Sequence, residues 1–213
     1  KMTSCPDWFD DAAERKTPEF SNRVYSALVH ARTNSMSSIP ENADIMSWHK
    51  QIFMGIAPLE IYAGNYRQDT PKEPCLAVNV SVGNVPGASY TIVPTVMVNF
   101  FNDLGREMKS LELQWTEISA VEKLRRVSSL VAVAVGEFIR IHPFVNGNGR
   151  MSRTLWNVLL HRMGFPAEVS VINRPDPPYN NLMKQAMQGN YAPLVVYLFD
   201  TIATTPPKTN LPS

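Results

Sequence analysis

The sequence predicts an all-α fold carrying a β-hairpin. Three observations point there: apolar residues recur at spacings of three and four over most of the chain, one stretch alternates with period two, and prolines cluster at the junctions. With 213 residues, 44% hydrophobic and 18% charged, the chain suits one domain with a real core. Twenty Lys+Arg against nineteen Asp+Glu leave a net charge of +1, which argues against nucleic-acid binding by bulk electrostatics. There is no run long enough to span a membrane and no signal-peptide order, so a soluble, cytoplasmic chain is expected. Export as an effector on a non-cleaved signal would leave no trace in composition. Cys5 and Cys75 lie far apart, outside any Cys-x-x-Cys pair; neither a disulfide nor a zinc site is expected, and a reducing compartment is the default.

The elements follow in order. Phe20, Val24, Tyr25, Leu28 and Val29 predict a one-sided helix over 20–32, and Ile45, Trp48, Ile52 and Phe53 another over 43–54. From Leu76 to Val93 the pattern changes: Val78, Val80 and Val82 alternate with polar residues, Pro86-Gly87 intervenes, then Tyr90 and Ile92 follow. That reads as a hairpin turning at Pro86-Gly87. A third helix starts near Pro94, with Val96, Met97, Phe100, Phe101 and Leu104 as its stripe. Residues 118–141 are apolar over most of a helix circumference, which predicts a central, buried helix. A fifth helix begins near Gly149 and stops at Gly164 and Pro166; a last pair covers 179–188 and 192–203.

Between the buried helix and the fifth lies His142-Pro143-Phe144-Val145-Asn146-Gly147-Asn148-Gly149-Arg150-Met151-Ser152-Arg153. Two glycines let consecutive amides turn inward as an anion nest, and the next helix aims its positive end at the same point. Arg150 and Arg153, three apart, can both reach one polyphosphate, and the Asn148 amide can donate to a phosphate oxygen. His142 can take a proton from an attacking hydroxyl. Each feature is common alone; their combination within one short run predicts nucleotide transfer.

This run resembles the signature of Fic domains, His-Pro-Phe-x-Asp/Glu-Gly-Asn-Gly-Arg-x-x-Arg, at every fixed position except Asn146. Gly64-Asn65-Tyr66-Arg67 and the 76–93 hairpin are similar to the family's Gly-x-Tyr/Phe-Arg and target-docking flap. Asn157, Leu160, Gly164, Pro166, Tyr179, Leu182 and Ala186 resemble its later helices, so the likeness spans about residues 43–200. It implies one Fic-like domain over 1–213, with 1–42 an extension, 43–200 the core and 201–213 a tail. It also implies transfer of AMP from ATP, with Mg2+ or Mn2+, to a Ser, Thr or Tyr hydroxyl of a target protein. In that reading His142 is the base and Phe144 anchors the loop. Gly147, Asn148 and Gly149 hold the α- and β-phosphates, Arg150 and Arg153 the β- and γ-phosphates. The flap, through Val78, Val80, Val82 and Tyr90, binds the target segment by strand addition.

The family's carboxylate at position 146 binds magnesium, and an amide lacks its charge. Weakened adenylylation, a different nucleotide or phosphate donor, and a silent nucleotide- or protein-binding module are the three alternatives. Ser37-Ser38-Ile39-Pro40-Glu41-Asn42 resembles the family's inhibitory Ser/Thr-x-x-x-Glu-Gly/Asn motif, in which Glu41 would pair with Arg153. The competing reading has Ser37 or Ser38 capping the next helix, with Pro40 in its first turn. His30, His49 and His161 show no ligand spacing and are expected to be structural; Trp48, Trp115 and Trp156 are expected in the core. The sequence leaves the target, its modified residue and the oligomeric state open.

Overall fold

The computed structural model describes residues 5–8, 17–166 and 169–204. Seven α-helices and one hairpin are found among them: α1 Pro18–Ser37, α2 Asn42–Phe53, β1 Ser81–Val82, β2 Val85–Pro86, α3 Val93–Leu113, α4 Ala120–Ile141, α5 Asn148–Arg162, α6 Tyr179–Met187 and α7 Ala192–Thr204. Short 3-10 turns cover Glu60–Tyr62 and Pro74–Leu76. The all-α expectation with a small hairpin holds. Of the expected tail, residues 205–213 lie outside the described residues.

Helix boundaries follow ordinary capping. Thr17 Oγ1 accepts the Phe20 amide at 3.2 Å with Pro18 in the first turn of α1, and Ser119 Oγ accepts the Glu122 amide at 3.2 Å to start α4. The α1–α2 junction differs from both sequence readings. The hydroxyls of Ser37 and Ser38 turn back to Asn34 O at 3.0 and 3.3 Å, closing α1 instead of opening α2. Glu41 is the N-cap of α2, its amide donating to Asp44 Oδ2 at 2.8 Å.

α4 and α5 form the centre. α5 lies against α1 and α4, while α3, α6 and α7 cover other sides of α4. The sequence marked α4 as the buried helix; α5 is more enclosed still, because every residue from Arg150 to Leu160 is buried. Polar side chains on α5 hid this from the hydropathy pattern. Asn157 Nδ2, for example, donates to Arg153 O and Val169 O at 2.8 and 2.9 Å, so its polarity is satisfied inside.

The hairpin departs from its expected form. The chain reverses at Gly83-Asn84, not Pro86-Gly87, and pairs Ser81 with Pro86 and Val82 with Val85. Gly83 supplies the positive φ of 58°, while proline, lacking an amide, cannot drive the ladder further. Val78, Val80 and Tyr90 fall outside the two strands. Other bonds hold them: Val78 N donates to Leu76 O at 2.9 Å and Val78 O accepts from Arg67 Nη1, Gly87 N donates to Val80 O at 2.9 Å, and Tyr90 N donates to Asn79 Oδ1 at 3.2 Å.

The cysteine expectation is overturned, since Cys5 and Cys75 form a disulfide across 70 residues of sequence. Only tertiary placement pairs them: the 3-10 turn at Pro74–Leu76 comes beside segment 5–8, which Trp8 anchors against Phe53 and Tyr62. The expectation of a reducing compartment rested on unpaired thiols and falls with it. Among the described residues no helix is long and apolar enough to cross a membrane.

Candidate functional site

The site begins where α4 stops. His142, its C-cap, has φ 55° and ψ 58°, the one non-glycine residue of positive φ among those described. That left-handed backbone redirects the chain into the loop, costs about 1–3 kcal/mol and persists only where the surroundings enforce it. Arg67 enforces it. This guanidinium is fully buried and donates to four carbonyls: Nε to His142 O at 2.9 Å, Nη1 to Val78 O at 2.9 Å, and Nη2 to Ala88 O at 2.9 Å and Ile141 O at 3.1 Å. Its amide also donates to Pro143 O at 2.8 Å. Burial lowers its pKa to about 10, so it stays charged at neutral pH.

The His142 ring is oriented by its own helix, with Nδ1 donating to Ile139 O at 3.1 Å. Across the ring, Nε2 is therefore the basic nitrogen. Burial, with a smaller contribution from the Arg67 charge, lowers its pKa to about 4; the Ile139 bond opposes the shift. The imidazole is neutral at physiological pH.

Phe144 fills the core beneath the loop, as expected, stacked on His49 at 3.8 Å between centroids and 11° between planes. His49 was expected to be structural, and it is a brace for this loop. Its Nδ1 accepts the Gly64 amide at 2.9 Å, so Nε2 carries the proton and donates to Asn146 O at 3.0 Å. Burial lowers its pKa to about 3, outweighing the bond to Asn146. Both folded-state histidines thus resist protonation that the unfolded chain accepts near 6.5. Stability is full above that value and is lost as pH falls toward 4 and 3, at about 2.7 kcal/mol per pH unit for two protons. Denaturant unfolding should be flat from pH 7.5 to about 6.5 and approach this slope between about 6 and 4.5, and His49→Gln should roughly halve it.

The Asn148 side chain is turned into the loop. Its Oδ1 accepts the Phe144 amide at 2.9 Å and its Nδ2 donates to Phe144 O at 2.8 Å. The side chain braces the loop, tied at both ends to the Phe144 backbone. Gly147, the N-cap of α5, has φ 82°, and a Cβ there would stand 2.5 Å from Phe53 Cε2. Gly147→Ala is expected to cost at least about 1–3 kcal/mol in thermal unfolding, from the backbone alone. The amides of Asn148 and Gly149, in the first turn of α5, have no carbonyl one turn back and carry the positive end of the dipole.

Both arginines of the run are buried. The Arg150 guanidinium lies over the Phe20 and Phe53 rings at 4.9 and 5.5 Å. Arg153 Nε and Nη2 donate to Ser170 O and Val171 O at 2.8 and 3.0 Å, while Nη1 lies 3.4 Å from where a Gly149 Cβ would be. Burial lowers the Arg153 pKa. The expected Glu41–Arg153 pair is not formed: Glu41 is exposed at the start of α2, lining a groove with Arg106, Lys109 and Arg162.

Position 146 does not fit a cation held by this protein. Asn146 Oδ1 accepts the Gly147 amide at 2.7 Å and Nδ2 donates to Trp8 O at 3.2 Å. Among the described residues no group of three or more His, Cys, Asp or Glu could hold a metal ion. With no carboxylate at this point, the donor set lacks the usual anchor for magnesium.

Sequence reasoning matched Arg67 to a family motif without a role, expected His49 to be merely structural, and gave Trp8 no role. The motif Gly64-Asn65-Tyr66-Arg67 marked the position of Arg67 but not its carbonyl partners; nothing local marked the other two as braces of the loop.

The Fic/DOC family model matches residues 40–160. Protein adenylyltransferase Fic of Drosophila erecta is 28% identical over 162 residues, covering 76% of this chain and 28% of that protein. The Drosophila virilis protein of the same name is 30% identical over the same coverage. The chain spans little more than a quarter of the length of these curated relatives. In fold it is similar to a Fic domain containing signaling protein from Bacteroides thetaiotaomicron VPI-5482, with TM-score 0.59, 21% identity, and coverage of 86% of this chain and 68% of that one.

Proposed function

The chain belongs to the Fic/DOC family, and we propose that it transfers AMP from ATP to a hydroxyl side chain of a target protein. The observation that carries this reading is His142, whose ring is held by Ile139 O beside the start of α5 with Nε2 left basic. The names of the Drosophila relatives support the adenylyl group as cargo.

In this reading Nε2 of His142 takes the proton of the target hydroxyl as its oxygen attacks the α-phosphorus. The bond between the α-phosphorus and the α,β-bridging oxygen breaks, pyrophosphate leaves, and AMP remains esterified to the target. His142 then releases the proton to water. The amides of Asn148 and Gly149 and the positive end of α5 stabilise the phosphates, with Nη1 of Arg153 beside them. Phe144, His49 and Asn148 supply no chemistry and hold that cradle rigid. The flap offers a short exposed edge to an extended target segment. No step is assigned to a cation.

A second reading, nucleotide binding without turnover, is favoured by the uncharged Asn146. Intact-mass spectrometry after incubation with each nucleoside triphosphate and Mg2+ or Mn2+ separates the two. An AMP-sized increment on the chain or on added proteins, absent with His142→Ala, supports transfer. Calorimetric nucleotide binding with no increment on any protein supports the second reading.

A further inference from the structure

Three observations meet at position 146. The Asn146 carboxamide is bonded at both ends, with Nδ2 giving a proton to the Trp8 carbonyl and Oδ1 taking the Gly147 amide. An aspartate there has no proton for Trp8 and would set a negative charge against its carbonyl oxygen. Trp8 is itself seated: its ring stacks on Tyr62 at 6.0 Å and 4°, and meets Phe53 and His49 edge-on at 5.2 and 6.0 Å. Finally, the segment is fastened before Trp8 as well, by Tyr62 Oη donating to Pro6 O at 3.0 Å and by the Cys5–Cys75 disulfide. These fastenings fall within four consecutive residues, the last of which, Trp8, meets the loop that opens α5.

We infer that segment Cys5–Trp8 is a strap that positions the loop through Asn146, with the Trp8 carbonyl taking the place at position 146 that the family pattern gives to a cation. Asn146 and Trp8 are then positioning residues, and amide in place of carboxylate is the choice the strap requires. The disulfide makes the strap releasable. A dithiol reductant takes Cys5–Cys75 to two thiols and is itself oxidised to a cyclic disulfide, after which, among the described residues, the segment is held by the aromatic contacts of Trp8 and by one hydrogen bond each at Pro6 O and Trp8 O. The inference rests on the proposed reaction only in reading position 146 as the family's cation position. Its test needs no turnover, so the two fail separately.

The test is hydrogen exchange by mass spectrometry on the whole chain, oxidised and reduced, wild type and Asn146→Asp. Reduction is expected to speed exchange of the 144–151 amides by about tenfold, the equivalent of one net hydrogen bond. Asn146→Asp should do the same in the oxidised chain and add little once the strap is released. Calorimetry with MnATP should show Asn146→Asp binding the metal complex about tenfold more tightly after reduction than before. Unchanged loop exchange after thiol titration shows both cysteines free overturns the inference. So does an Asn146→Asp effect of equal size in both redox states, or equally tight MnATP binding in both. Should circular dichroism show that reduction unfolds the chain, Trp8→Ala in the oxidised state replaces it; faster 144–151 exchange is expected, and an unchanged rate overturns the inference.

Discussion

Alanine in place of His142 is expected to slow AMP transfer by about 10²–10⁴-fold, the usual worth of a positioned general base, while circular dichroism and nucleotide binding stay near wild type. The side chain makes one bond, to Ile139 O, and that carbonyl already lies in the last turn of α4, so little of the fold depends on the ring. His142→Asn is the matching control, because asparagine tolerates the left-handed backbone better than alanine and cannot act as a base at neutral pH. The pH profile makes a sharper statement. Transfer requires the neutral imidazole, so kcat/KM should rise with pH through the free-enzyme value of about 4 and show no inflection near 6.5. An ordinary histidine limb near 6.5 would mean that the ring is not buried as the structure has it.

Loss of the Arg67 guanidinium should be the most destabilising single change in the molecule. Arg67→Ala takes the guanidinium from the carbonyls of Val78, Ala88 and His142, while Ile141 O keeps the Ala88 amide at 3.1 Å, and each buried group left unsatisfied costs about 1–3 kcal/mol. The sum, about 4 kcal/mol or more after water enters the cavity, approaches the whole stability of many domains. Arg67→Lys is the informative variant, since it keeps the charge and loses the fork that reaches three chain segments at once. Thermal unfolding should place it between wild type and alanine. Exchange should quicken together at the flap amides 87–90 and the loop amides 142–144, because one side chain ties both. Gly87 belongs to the same joint: a Cβ there would stand 2.9 Å from His142 Cβ, so the flap backbone rests against the base. Exchange that quickens in only one of the two segments would show that Arg67 does not couple them.

Much of the architecture is local information. Apolar spacing placed α1 through α7, although α1 runs five residues past its expected end at 32 and the end of α3 was not assigned, because a helix burying one face announces itself every three or four positions. The loop of residues 142–153 is equally legible, since its chemistry lies on consecutive residues at a helix start. By itself, then, the sequence determined the helical fold and the family, and supplied the residues proposed as base and anion cradle. Tertiary structure decided how those residues are held. It spent the Asn148 side chain on Phe144, buried Arg67 against four carbonyls from three segments, kept Glu41 from Arg153, paired Cys5 with Cys75 and joined Asn146 to Trp8. Such partners lie tens of residues apart and meet only when helices pack. Hydrogen-bond satisfaction inside a core is a property of the assembled volume, and no periodicity along the chain encodes it.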